Sequence, residues 1–291
     1  MISLAAFRYR NVLSEHGGPI ASLQTADFPV YGQRLYTANA RLADGLVPRR
    51  NFAVYSNADG TGAHASAMVA RHMAVSEALE RWAFHATVRS FRREEFGFDV
   101  DESSSGMAAF PGWSTAAARC GARFEAFERH CLLNWWEGAL DGEVRRTPWP
   151  AVSALSFEPR PGVVAVILYA RSTLGHYNYG HAAAATYERA CQRALLELAR
   201  HEWVLSCWMV SASAQGPSDI MERRACYFAT EDGHRRFLAR LSRKAWQPLH
   251  REVICDREVK GPWSSFATVW RFVLRPPSDR FRSNEVDYFF W

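Results

Sequence analysis

The longest uninterrupted apolar run in the chain, V-V-A-V-I-L-Y-A at 163–170, has strand length and predicts a central strand. Other segments repeat at helical spacing. From about 63 to 90 an apolar side runs through Met68, Val75, Leu79 and Trp82. Further helices are expected over about 115–139, stopped near Gly138, over about 183–212, and near 217–243. Phe52 to Tyr55 reads as a short strand ending in the turn S-N-A-D-G-T-G at 56–62, with Gly60 and Gly62 as its signal. Residues 1–50 hold one or two strands plus loop. Residues 92–114 are charged and then rich in Ser, Gly and Pro, which predicts a loop. The prolines at 148, 150, 159 and 161 leave room only for short extended pieces, and strands near 251–256 and 264–275 finish the chain. The expected class is α+β, with mixed sheet elements and three to four long helices. No linker separates independent parts, so one domain over 1–291 is expected.

Composition narrows the function. The 291 residues are 48% hydrophobic, which excludes a disordered chain and is enough for a substantial core. There is no apolar run of about 18 residues to cross a membrane. The N-terminal M-I-S-L-A-A-F-R-Y-R lacks the charged lead and apolar length of a signal peptide, so a cytoplasmic location is expected. Six scattered cysteines without a CxxC read as reduced structural residues. A net charge of +5 permits an anionic partner, but the arginines are dispersed and form no basic block, which argues against nucleic acid.

The candidate chemistry lies in a repeated motif. S-E-A-L-E-R-W at 76–82 and E-A-F-E-R-H at 125–130 share Glu-x-x-Glu-Arg within helical patterns. Residues three apart point the same way, so Glu77/Glu80 and Glu125/Glu128 each form a two-carboxylate claw. One such motif is ordinary decoration of a solvated helix face. Here Met73 and Phe84 bracket the first pair, and Gly121 and Leu132 the second, as if both were set into partly buried walls. Facing claws need cations between them, and Mg²⁺ holding nucleotide phosphates suits them.

Three elements in order resemble the YcaO family of ATP-dependent peptide backbone-modifying enzymes. The first is Gly60 and Gly62 ahead of M-A-V-S-E-A-L-E-R at 73–81. The second is E-A-F-E-R-H at 125–130, followed by Trp135 and Trp136. The third is A-C-Q-R-A-L-L-E-L-A-R at 190–200, preceded by Tyr179-Gly180-His181. The matched region spans about 55–205. Met73, His130 and Arg200 stand where the family often has serine, aspartate and glutamine.

The resemblance implies a YcaO-like fold, with Mg²⁺ on Glu77, Glu80, Glu125 and Glu128. It places Gly60, Gly62, Arg81, Arg129, Glu197 and Arg200 at the ATP. Simpler roles compete: salt bridges to the adjacent claws for Arg81 and Arg129, and pairing with Arg193 or His201 for Glu197. The implied activity is an azoline-forming cyclodehydratase acting on a ribosomally made precursor peptide in RiPP biosynthesis. Thioamide or amidine formation, and a non-catalytic scaffold subunit, remain as alternatives. A leader-peptide-binding partner protein is expected, and a homodimer is compatible. No general base is nominated; His130, His181 or a partner's residue could serve.

Overall fold

The computed structural model describes residues 4–30, 33–112, 115–211 and 216–291. Its helices are α1 (Leu4–Arg8), α2 (Ala67–Val88), α3 (Thr115–Glu137), α4 (Tyr187–Val210), α5 (Ile220–Phe228) and α6 (Glu231–Leu241). Its first five strands are β1 (Ile20–Val30), β2 (Gln33–Leu42), β3 (Gly60–His64), β4 (Met107–Phe110) and β5 (Glu143–Arg145). The others are β6 (Ser153–Arg160), β7 (Val163–Arg171), β8 (Tyr177–Ala184), β9 (Val253–Glu258) and β10 (Thr268–Leu274).

The chain divides into two compact units. Met1–Arg50, Asn57–Ala126 and Val253–Leu274 form the first; Asn51–Ser56, Phe127–Glu252 and Arg275–Trp291 form the second. In the first unit, β1-β2-β3 make one antiparallel sheet and β4-β10-β9 another. Helix α2 lies on the first sheet and also meets β4 and β10, so its alanines join a core with Ala38, Ala40, Val269 and Val273. In the second unit β5-β6-β7-β8 form an antiparallel sheet covered by α4. The expected strand at 163–170 is β7, flanked by a partner on either side.

The glycines at 60 and 62 are not in a turn. They lie in β3, where they let strand and helix backbones approach. A Cβ at Gly60 would stand 2.1 Å from the Ala74 carbonyl oxygen, and one at Gly62 2.1 Å from that of Ala70. Facing them are Ala70, Ala74 and Ala78, all fully buried. The same solution recurs in the second unit. A Cβ at Gly180 on β8 would come within 2.3 Å of the Ala194 carbonyl oxygen on α4. Gly60 and Gly180, Ser66 and Thr186 at the N-caps, Ala74 and Ala194, and Glu77 and Glu197 are each separated by 120 residues. Gly60→Ala and Gly180→Ala should each cost about 2–3 kcal/mol, because backbone atoms must give way. Denaturant midpoints check this; values within 0.5 M urea of wild type, roughly 1 kcal/mol, would contradict it.

Other expectations shift for local reasons. Residues 52–55 form no strand, because the backbone N–H groups of Ala53, Val54 and Tyr55 donate at 2.9, 2.7 and 2.8 Å to the carboxylate of Glu222. That buried carboxylate takes the place of a sheet partner. The proline-rich 140–162 region holds a full strand, β6; its ladder shifts register between Phe157 and Arg160, which accommodates Pro159. The expected 217–243 helix is broken in two, as Thr230 caps α6 by accepting from the Gly233 N–H at 3.2 Å. Within 92–114, β4 takes Met107–Phe110 out of the expected loop.

Candidate active site

Glu77 and Glu80 lie on α2, and Glu125 on the part of α3 within the first unit. Glu77 is held at both oxygens. One accepts from the Thr61 N–H and hydroxyl, both at 3.0 Å, and the other from Arg81 at 3.2 Å. Arg81 also donates to the Asp59 carbonyl at 2.8 Å, while the Asp59 carboxylate accepts from the Leu42 N–H at 2.8 Å. The result is a latch between the start of β3 and one turn of α2. The competing salt-bridge role of Arg81 is thus realised, and the arginine's position is fixed by it.

Glu80 carries a marked electrostatic signature. Burial, then the charge of Glu125, then that of Glu77 hold its carboxyl well above the ordinary range; a backbone hydrogen bond from Ala109 and the charge of Arg271 oppose them. Three acids from two helices therefore share one neighbourhood in the first unit. Arg271, absent from the sequence motifs, is fully buried. It donates to the carbonyls of Phe96, Asp101 and Ser103 at 2.6, 2.7 and 2.8 Å and lies 3.7 Å over the Phe98 ring. A β-strand arginine gives no local signal, so sequence reasoning missed it, as it missed Asp59 and Thr61.

The second unit gathers a different set. Glu128 accepts from the Ala183 N–H at 3.1 Å and meets His181 Nδ1 at 2.7 Å. Burial works against charging His181, but the Glu128 bond and charge, with a contribution from Glu197, prevail and raise its pKa. Glu197 pairs with Arg200 at 3.0 Å, instead of with Arg193 or His201. Arg193 donates to the Ala183 carbonyl at 3.0 Å, and His201 Nδ1 accepts from the Tyr179 N–H at 3.1 Å. Arg129 is buried, with its guanidinium 4.6 Å from the Phe281 ring centre and 4.4 Å from that of Phe290. This cation–π seat holds the arginine within the second unit.

Among the described residues, no group of three or more His, Cys, Asp or Glu side chains stands ready as a metal cage. Mg²⁺ does not require one. It is commonly held by one or two carboxylates together with water and phosphate oxygens, which the crowded Glu77, Glu80 and Glu125 fit.

His130 and His201 answer acid in the opposite sense to His181. Burial, then Arg251, lowers His130 to about 4; burial, then His181 and His176, lowers His201 to about 3. An unfolded chain protonates both near 6.5, so it binds more protons than the folded one below that pH. Their stability contribution is complete above that value and is lost as pH falls toward the folded values. Between pH 7 and 5 the loss should be about 2 kcal/mol for each histidine, measurable by urea unfolding. His201→Gln should flatten the profile; an unchanged slope would refute the assignment.

Comparison with known proteins supplies the fold. Neither the scan against family models nor the search of curated proteins finds a match. Among solved structures, a chain in the E. coli microcin synthetase McbBCD complex with pro-MccB17 bound matches with a TM-score of 0.53. The identity is 11%, and the match covers 86% of this chain and 86% of that one. The two chains share a fold. The α+β architecture expected from the sequence is thus borne out, while the site residues rest on the geometry above. Among the described residues, no helix is long and apolar enough to cross a membrane.

Proposed function

We propose that this chain is an ATP- and Mg²⁺-dependent enzyme that activates backbone amides of a ribosomally made precursor peptide, forming thiazoline or oxazoline rings. The observation that carries this reading is the Glu77, Glu80 and Glu125 cluster, in which burial and like charge oppose ionisation of Glu80. Such a site gains most from a cation. The motif order and the shared fold with a chain of a peptide-containing synthetase complex support the peptide class.

In this reading Glu80 and Glu125 hold the metal. Glu77, tied to Thr61 and Arg81, orients that wall of the site. Bound Mg²⁺ would neutralise triphosphate charge and ease phosphoryl transfer. A Cys, Ser or Thr side chain of the substrate, losing its proton, attacks the preceding carbonyl carbon and closes the ring. The former carbonyl oxygen takes the γ-phosphoryl group, releasing ADP, and departs as phosphate while the amide nitrogen gives up its proton to form the C=N bond. In the second unit Glu197 and Arg200 form a charge-balanced pair. Gly60 and Gly62 contribute indirectly, by setting the β3–α2 approach. A separate partner protein captures the precursor's leader.

Calorimetry with Mg·ATP, followed by mass spectrometry of precursor incubated with the chain and its partner, tests the proposal. Nucleotide binding and loss of water from the peptide are expected. Exchange of oxygen for sulfur would redirect the reading to thioamide formation. No binding at millimolar Mg·ATP would overturn it in favour of a scaffold subunit.

A further inference from the structure

The first unit has a cleft of about 710 Å³ between the N-terminal segment and the turn leading into β10. None of the residues assigned above to ATP or Mg²⁺ lines it. Phe7 and Phe266 supply apolar surface, with Phe7 half exposed at 52%. Arg8 stiffens the cleft by donating to the Gly112 and Ser264 carbonyls at 3.1 and 2.5 Å. Arg10 is different. Its exposed guanidinium lies 4.7 Å from the Phe7 ring centre and meets no carboxylate among the described residues. Beside it the exposed Asn11 side chain has no hydrogen-bond partner among those residues. The one carboxylate lining the cleft, Glu258, has Lys260 Nζ 3.8 Å away.

These groups match one kind of occupant. A guanidinium seated over an aromatic ring offers a planar fork to a carboxylate. The Asn11 amide offers a donor and an acceptor, the pair needed to read a peptide bond. The phenylalanines offer an apolar seat next to both. We propose that this cleft binds an acidic segment of the peptide substrate carrying an aromatic or aliphatic residue beside its carboxylates. The inference rests on the peptide-modifying reading but uses a place distinct from the acidic cluster.

Fluorescence anisotropy tests it on the full chain without nucleotide. The probes are a labelled peptide of Glu, Asp, Phe and Gly and a counterpart with Lys replacing every acid. The acidic probe should bind at least about tenfold more tightly, equivalent to roughly 1.4 kcal/mol. Affinity should fall with added salt. Arg10→Glu should erase the preference without moving the melting temperature, and Asn11→Ala should weaken both probes alike. Equal affinity for the two probes, no binding at millimolar chain, or full retention of the preference in Arg10→Glu would each overturn the proposal. Calorimetry with Mg·ATP is a separate measurement, so failure of the nucleotide reading is distinguishable from failure here.

Discussion

Glu80→Gln should leave a folded protein with ATP turnover reduced at least about 100-fold, the scale of losing one charge-stabilising group at a phosphoryl-transfer site. The same change should raise the melting temperature of the metal-free protein. The sign follows from the lifted pKa of the Glu80 carboxyl. Between the ordinary carboxylate value and the raised one, the folded chain holds a proton that the unfolded chain has released. Stability of the free protein therefore declines as pH climbs through that window. Glutamine keeps the shape and removes the charge, so its gain in melting temperature should widen toward alkaline pH. Mg²⁺ should stabilise the wild type most where Glu80 is ionised, and the variant little. Scanning calorimetry with and without Mg²⁺, beside a phosphate-release assay, reads both effects. Wild-type turnover in the variant would remove Glu80 from the mechanism.

Arg224 commands the largest expected loss of stability. It is completely buried and donates to the carbonyls of Phe281, Ser283, Glu285 and Phe290 at 2.8, 2.8, 2.9 and 3.2 Å. One guanidinium thereby fixes the course of the segment that carries Tyr288 and Phe289 into the core of the second unit. Burial lowers the arginine's pKa, yet its donors stay matched to acceptors. Arg224→Met would strand several carbonyls and should cost about 3–5 kcal/mol. Arg224→Lys should rescue little, because a point charge cannot span acceptors set by a planar fork. Denaturant unfolding measures the loss, and near-ultraviolet circular dichroism should show the Tyr288 and Phe289 environment loosened. A lysine variant as stable as wild type would contradict the fork argument.

Periodic segments were the legible part of this fold. Helices α2, α3 and α4 announce themselves because each repeats one apolar interval for several turns, and strand β7 by its unbroken apolar run. Strand β8 was hidden: its alanines suit a helix as well as a strand, and Gly180 resembles a breaker until α4 is seen resting against it. Likewise, a glycine chosen for contact cannot be distinguished from one chosen for positive φ, which misplaced Gly60 and Gly62. Long-range pairing was equally invisible. Nothing near Tyr55 announces Glu222, and nothing near Glu80 announces Arg271. At the candidate site, spacing within a helix placed Glu77 beside Arg81 correctly. It could not show that the guanidinium of Arg129 would be claimed by two phenylalanines.

The recurrence of glycine, cap and acid at a fixed interval also constrains how the two copies can diverge. Glu80 in one corresponds to Arg200 in the other, although the strand–helix crossing beneath them is built alike. Steric identity is demanded only where the two backbones touch; one turn further along, either sign of charge fits. A strand–helix crossing of this kind can therefore carry an acid or a base one turn beyond its contact, as Glu80 and Arg200 do, with the crossing itself unchanged.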